Sequence, residues 1–282
     1  MAEVAEKTLQ TGERTTHLNR AGEGNETAIL FLHGSGPGAT AWSNWQFALP
    51  ALGEDFDCLA PDLIGYGQSE HPEQLPDGPS AWLQEWLEQV ESVLDQSGHD
   101  RMHVVGNSMG GALALQLMDR HPGRVEKAVL MGTMGVPFEL PDALSRLWGF
   151  YDDPSPERMT EAMHWFVYDP AVVGGDLQAI AESRYGAATQ EEVSRSFAAM
   201  FPEPRQSGVD ELALDKQQVQ ALEHETLLVH GRDDVIIPLD TSLYLLENLQ
   251  RPQLHVFGRC RHWIMIEYRE AFNRLISDYL SH

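Results

Sequence analysis

Short, densely apolar runs alternate with amphipathic stretches along this chain, a pattern of strands separated by helices. Thr15 to Arg20 and Ala28 to Leu32 predict successive strands, and Asp57 to Ala60 predicts another after the turn at Gly53 to Asp55. Trp82, Trp86, Val90, Val93 and Leu94 recur at helical spacing, which predicts a helix with Ser80 as N-cap and Gly98 as stop. Met102 to Val105 predicts a buried strand, Gly110 to Arg120 a helix ended by His121-Pro122-Gly123, and Val125 to Met131 the next strand. Strand, helix, strand in this order implies a parallel sheet, because parallel neighbours need a long crossover.

From about Gly132 to Gly208 the periodicity changes. Pro137, Pro141, Pro154, Pro156 and Pro170 punctuate short helical stretches rich in Met, Trp and Phe, which predicts a helical insertion. Strands resume at Thr226 to Val229 and Gln253 to Phe257, with helices over Thr241 to Asn248 and Ala271 to Leu280. The chain thus divides into a first core part over residues 1–134, a helical cap over 135–208 and a second core part over 209–282.

Composition narrows the classes. A length of 282 residues suits one large α/β domain carrying an insertion. Its apolar runs fall far short of the roughly 20 residues that span a membrane. Met1 to Gln10 is acidic and has no apolar export segment, so a cytoplasmic protein is expected. Cys58 and Cys260 are the only cysteines and are expected as free thiols. A formal net charge of −24 excludes a nucleic-acid partner, which needs clustered Lys and Arg; lysine occurs only at Lys7, Lys127 and Lys216.

The chemistry concentrates after the predicted strands. Gly106-Asn107-Ser108-Met109-Gly110 follows one strand and opens a helix, the setting of a nucleophile elbow. A serine hydroxyl needs a base within hydrogen-bond reach and an acid to orient that base. Arg232-Asp233-Asp234 follows a later strand, and Arg261-His262-Trp263 follows the last one, giving Ser108, Asp234 and His262 as catalytic candidates. Asp233 competes with Asp234 but suits the turn preceding it. Two N–H donors are required where oxyanion charge develops. Met109, next to the nucleophile, offers one, and Ser35 in His33-Gly34-Ser35-Gly36-Pro37-Gly38 offers the second. Gly34, Gly36 and Ala39 also fit a dinucleotide fingerprint, but Pro37 removes an N–H where a pyrophosphate needs donors. No cofactor and no metal are expected.

His33 to Ala39 with Trp42-Ser43-Asn44, Gly106 to Gly111, Gly231 to Asp234, and Cys260 with His262-Trp263 together resemble the meta-cleavage product hydrolases, carbon–carbon bond hydrolases of bacterial aromatic degradation. The resemblance runs from about Thr8 over nearly the whole chain. It implies an α/β-hydrolase fold: a mostly parallel central sheet flanked by helices, with a helical cap inserted after the sixth strand. It also implies a small-molecule dienoate substrate of the 2-hydroxy-6-oxohexa-2,4-dienoate type and a homodimer or larger homo-oligomer. By the same resemblance Asn44, Asn107, Arg184 and Trp263 bind substrate, Arg184 pairing with its carboxylate, and the stretch Ser196 to Pro202 points to a small 6-alkyl group. A carboxylesterase or thioesterase using the same three residues is the rival reading, and a non-catalytic ligand receptor a remote one. One departure stands out: Arg261 occupies a position where the family pattern leads one to expect glycine.

Overall fold

A computed structural model describes residues 1–173 and 176–282. An eight-stranded sheet forms the centre, built from β1 (Val4–Thr11), β2 (Arg14–Ala21), β3 (Ala28–Leu32), β4 (Asp57–Pro61), β5 (Met102–Asn107), β6 (Val125–Met131), β7 (Glu225–Gly231) and β8 (Arg251–Phe257) in the order β1-β2-β4-β3-β5-β6-β7-β8. β1, β2 and β4 pair antiparallel; β4-β3-β5-β6-β7-β8 are all parallel. β3 and β5 are buried along their whole length, as strands covered on both faces must be. Helices Gly78–Gln96 and Met109–Arg120 press Trp82, Trp86, Val90, Leu113 and Leu117 into the core.

Two elements differ from the sequence pattern. β1 carries no clear strand signal, because its apolar positions are few and Glu6, Thr8 and Gln10 line its exposed face; it exists as the antiparallel partner of β2, in a register from Val4 opposite Ala21 to Thr11 opposite Arg14. The helix expected to begin at Ser80 begins at Gly78 after Asp77, and Ser80 donates from its backbone N–H and hydroxyl to Glu211 Oε2 at 2.9 and 2.6 Å. Its side chain is a tether to a distant loop, not a cap.

With β1 counted, the insertion follows the sixth strand. Between β6 and β7 the described residues form helices and no strand, among them Asp142–Trp148, Pro156–Phe166, Leu177–Ala188 and Glu191–Met200. These helices meet the loops that leave the carboxyl ends of the strands, the place where open α/β sheets bind ligands.

Candidate functional site

Ser108 is a backbone anomaly before it is a chemical one. It has φ 56° and ψ −117°, a conformation that costs a non-glycine residue on the order of 1–3 kcal/mol. The strain is held by bonds on both sides: Ser108 N–H donates to Met131 O at 3.0 Å, and Ser108 O accepts from Gly111 N–H at 2.9 Å. Only glycine fits at 110, where a Cβ would lie 2.2 Å from Leu32 O. The turn delivers Ser108 at the end of β5, between the ends of β3 and β6, with Met109 as the first residue of its helix and therefore with an N–H that has no intrahelical acceptor.

His262 follows β8, and its Nδ1 lies 2.6 Å from Asp234 Oδ2, at the end of β7. An Nδ1–H given to a carboxylate leaves Nε2 as the acceptor in the neutral ring. Both side chains are buried. Asp234 Oδ1 takes the N–H groups of Ile236 and Ile237 at 2.8 and 3.1 Å. Burial opposes the charge of Asp234, but the His262 imidazole, His230 and the Ile237 N–H outweigh it and hold the carboxyl below its usual range. Asp233 has a different role: its Oδ2 accepts the Arg259 N–H at 2.9 Å.

The loop after β3 is organised by buried polar groups. His33 Nε2 accepts the Leu63 N–H at 2.9 Å, so its Nδ1–H donates to Gly34 O at 3.0 Å. Burial lowers the pKa of His33 and keeps the ring neutral in that role. Asn44 Oδ1 accepts from Gly34 N–H at 3.3 Å and from Asn107 Nδ2 at 2.8 Å, joining this loop to the elbow. Asn107 Oδ1 is buried without a donor. Ser35 Oγ accepts Trp148 Nε1–H from the insertion at 3.0 Å.

Arg184, on the helix Leu177–Ala188, is 9% exposed and donates from Nε to Pro37 O at 2.8 Å and from Nη1 to Ser43 Oγ at 3.3 Å. Among the described residues no carboxylate pairs with it, and burial pulls its pKa from 12.5 to about 10 against the weaker pull of Tyr151 and Tyr66. Its guanidinium carbon stands 5.9 Å from the Trp263 ring centroid. A cleft of about 940 Å³ reaches this point between Trp42, Ser43, Ile180, Arg184, Trp263 and Ile266. Gly38 permits the approach: at φ 69°, a Cβ there would lie 2.9 Å from Arg184 O.

Of the residues singled out from the sequence, Asp234 and His262 are paired and Asn44 and Asn107 bond each other, while Ser108 and Ser35 stand on the adjoining turns, Met109 opens the helix after Ser108, and Arg184 and Trp263 face one another beside the cleft. Arg261 turns its guanidinium to His164 O in the insertion. Sequence reasoning missed Trp148, His230 and Glu267. His230 could have been noticed as a histidine inside a strand; it is fully buried, its Nε2–H donating to Ile237 O at 3.0 Å and its Nδ1 accepting the Ser242 hydroxyl at 2.8 Å. Nothing local marks Trp148 or Glu267, because their partners are distant in the chain.

A model of the alpha/beta hydrolase fold family matches residues 27–268. A 2-hydroxy-6-oxo-2,4-heptadienoate hydrolase of Pseudomonas putida is 43% identical to this chain over 99% of it and 97% of the relative. A serine hydrolase from the polyaromatic-hydrocarbon-degrading bacterium Cycloclasticus zankles superposes with a TM-score of 0.96 at 43% identity, covering 99% of this chain and 98% of that one. A meta-cleavage product hydrolase from Pseudomonas fluorescens, solved as a serine-to-alanine mutant with acetates, superposes with a TM-score of 0.91 at 37% identity over 98% of this chain and 97% of that one.

Proposed function

This chain belongs to the meta-cleavage product hydrolases of the α/β-hydrolase fold, and on that premise we propose that it uses Ser108, Asp234 and His262 to hydrolyse the C5–C6 bond of a 6-alkyl 2-hydroxy-6-oxohexa-2,4-dienoate. It is a serine-dependent carbon–carbon bond hydrolase, and its products are 2-hydroxypenta-2,4-dienoate and a carboxylic acid. The observation that carries the substrate reading is Arg184, a buried guanidinium beside a cleft that no carboxylate among the described residues pairs with. A charge so placed is unfavourable unless an anion arrives to meet it. The substrate carboxylate supplies that anion. The dienoate hydroxyl supplies a donor for Asn107 Oδ1.

Anchored there, the substrate is first ketonised: the enol proton leaves O2, a proton is delivered to C5, and His262 carries it. Ser108 then gives its proton to His262 Nε2 and attacks C6, the oxyanion meeting the N–H groups of Met109 and Ser35. The C5–C6 bond breaks with its electron pair passing into the dienolate held at its anchored carboxylate end, and the proton on His262 passes to the dienolate O2, so that 2-hydroxypenta-2,4-dienoate leaves and the imidazole is neutral again. Water, deprotonated by His262, releases the acid from Ser108, and Asp234 keeps the imidazole in one tautomer throughout. In this reading residues 135–208 act as the cap over the site. The exposed β8 edge with Val256, together with Leu243 and Leu246 exposed on the helix Asp240–Asn248, suits self-association into a dimer or larger homo-oligomer. No helix among the described residues is long and apolar enough to cross a membrane, and we place the enzyme in the cytoplasm.

The test uses the colour of the substrate. Yellow 6-methyl, 6-isopropyl and 6-phenyl dienoates should all bleach with the wild type, the alkyl compounds at higher kcat/KM, whereas Ser108→Ala should bind them without turnover. Ester cleavage without bleaching would instead establish a carboxylesterase.

A further inference from the structure

The loop that carries His262 is fastened to the helical insertion on both sides of the histidine. Before it, Arg261 N–H donates to Glu267 Oε1 at 2.8 Å, and Cys260 Sγ lies 3.5 Å from the same oxygen. The other oxygen of Glu267 reaches into the insertion, accepting the Tyr168 N–H at 2.7 Å and the Asp169 N–H at 3.3 Å. After the histidine, Trp263 N–H donates to Phe166 O at 3.0 Å, and the two rings stack at 4.5 Å and 18°. Arg261, the departure noted in the sequence, adds its guanidinium to His164 O.

One carboxylate therefore joins the stretch just before His262 to the stretch where the helix Pro156–Phe166 ends. We propose that Glu267 is a positioning residue for His262: it pins the imidazole-bearing loop to residues 166–169 of the insertion, so that the base is aligned while the insertion is docked. The inference rests on His262 being the base of the proposed reaction. Three features support it. Glu267 ends the short helix Ile264–Glu267 that starts directly after Trp263, so it is coupled to His262 through a few rigid residues. Hydrogen bonds from backbone N–H to a carboxylate are about twice as strong as neutral ones. Proton transfer also tolerates little displacement, a shift of about 1 Å being enough to cost roughly 100-fold in rate. Arg261 is the lesser fastening, because its side chain grips one carbonyl and its backbone N–H serves Glu267 whatever the side chain.

The experiment is steady-state bleaching of the 6-methyl dienoate by Glu267→Gln, Glu267→Ala and Arg261→Ala, each variant checked for a native thermal transition. Gln keeps the shape and one acceptor oxygen, so kcat should fall about 10-fold, and Ala about 100-fold, with KM within about 3-fold of wild type. Arg261→Ala should lose less than about 3-fold in kcat. A folded Glu267→Gln variant with wild-type kcat overturns the proposal, as does a rise in KM at unchanged kcat, which would make Glu267 a determinant of substrate binding. An Arg261→Ala loss equal to that of Glu267→Ala also overturns it, because the guanidinium would then be the organiser. Ser108→Ala run in parallel separates the two readings: if that variant still bleaches substrate, the proposed reaction fails, whereas a dead Ser108→Ala beside fully active Glu267 variants sinks the positioning role alone.

Discussion

Replacing Arg184 by glutamine should cost substrate binding far more than stability. The guanidinium is 9% exposed, and burial brings its pKa from 12.5 to about 10, which corresponds to roughly 3 kcal/mol against the charged form. That cost is present wherever the arginine is charged in both the folded and the unfolded chain, which includes neutral pH. The Arg184→Gln substitution removes it and gives up the bonds to Pro37 O and Ser43 Oγ, neutral acceptors worth about 1–3 kcal/mol each when the donor is charged. The terms largely offset, leaving between about 1 kcal/mol of gain and about 3 kcal/mol of loss, so the melting temperature should move by less than about 10 °C. Substrate binding has no such compensation. A carboxylate meeting a neutral amide loses about 3 kcal/mol, which is roughly 100-fold in kcat/KM and falls mainly on KM. Steady-state kinetics on the 6-methyl dienoate and a thermal melt with and without the dienoate product measure both halves. The product should raise the wild-type melting temperature and leave that of Arg184→Gln where it was. A normal KM in a destabilised variant would refute the argument and make Arg184 a structural strut.

Asp234→Asn should lower kcat by roughly 10³–10⁴, because the amide cannot hold the imidazole in the same tautomer. Since the Asp234 carboxyl sits below its usual range, its charged form adds stability above about pH 4 that is lost as pH falls through the lower folded value. The wild-type advantage over the asparagine variant in urea melts should therefore be full at pH 7 and shrink below pH 4. Gly110→Ala would drive a Cβ to 2.2 Å from Leu32 O, so about 3 kcal/mol and roughly 6–12 °C of melting temperature should be lost, readable by calorimetry. Trp148→Phe keeps a ring to stack on Phe201 but withdraws the N–H from Ser35 Oγ, and a loss of about 10-fold in kcat is expected.

Much of the molecule is legible in the sequence because its information is local. An apolar run fixes a buried strand wherever the sheet places it, and Gly106 to Gly110 fixes an elbow because only glycine lets that turn pass so close to its neighbours. The expectation that Asp233 serves the turn and Asp234 faces the histidine is matched in the pairing of His262 with Asp234, while Asp233 takes the Arg259 N–H. β1 is not legible: a strand with one solvated face and few apolar positions is stabilised by its partner, and β2 is what makes it a strand. Ser80 likewise has the composition of a cap, but the competing carboxylate of Glu211 lies 131 residues away.

The sequence by itself settled which residue types can do the chemistry and on which strand ends they stand. Only the tertiary structure decided what those residues meet. That Arg184 is buried with no acid beside it among the described residues, that Trp148 reaches Ser35, and that one carboxylate at 267 ties the histidine loop to the helical insertion are consequences of packing between distant segments. Local patterning has a reach of a few residues, and the electrostatics of the site is set by contacts that span more than a hundred.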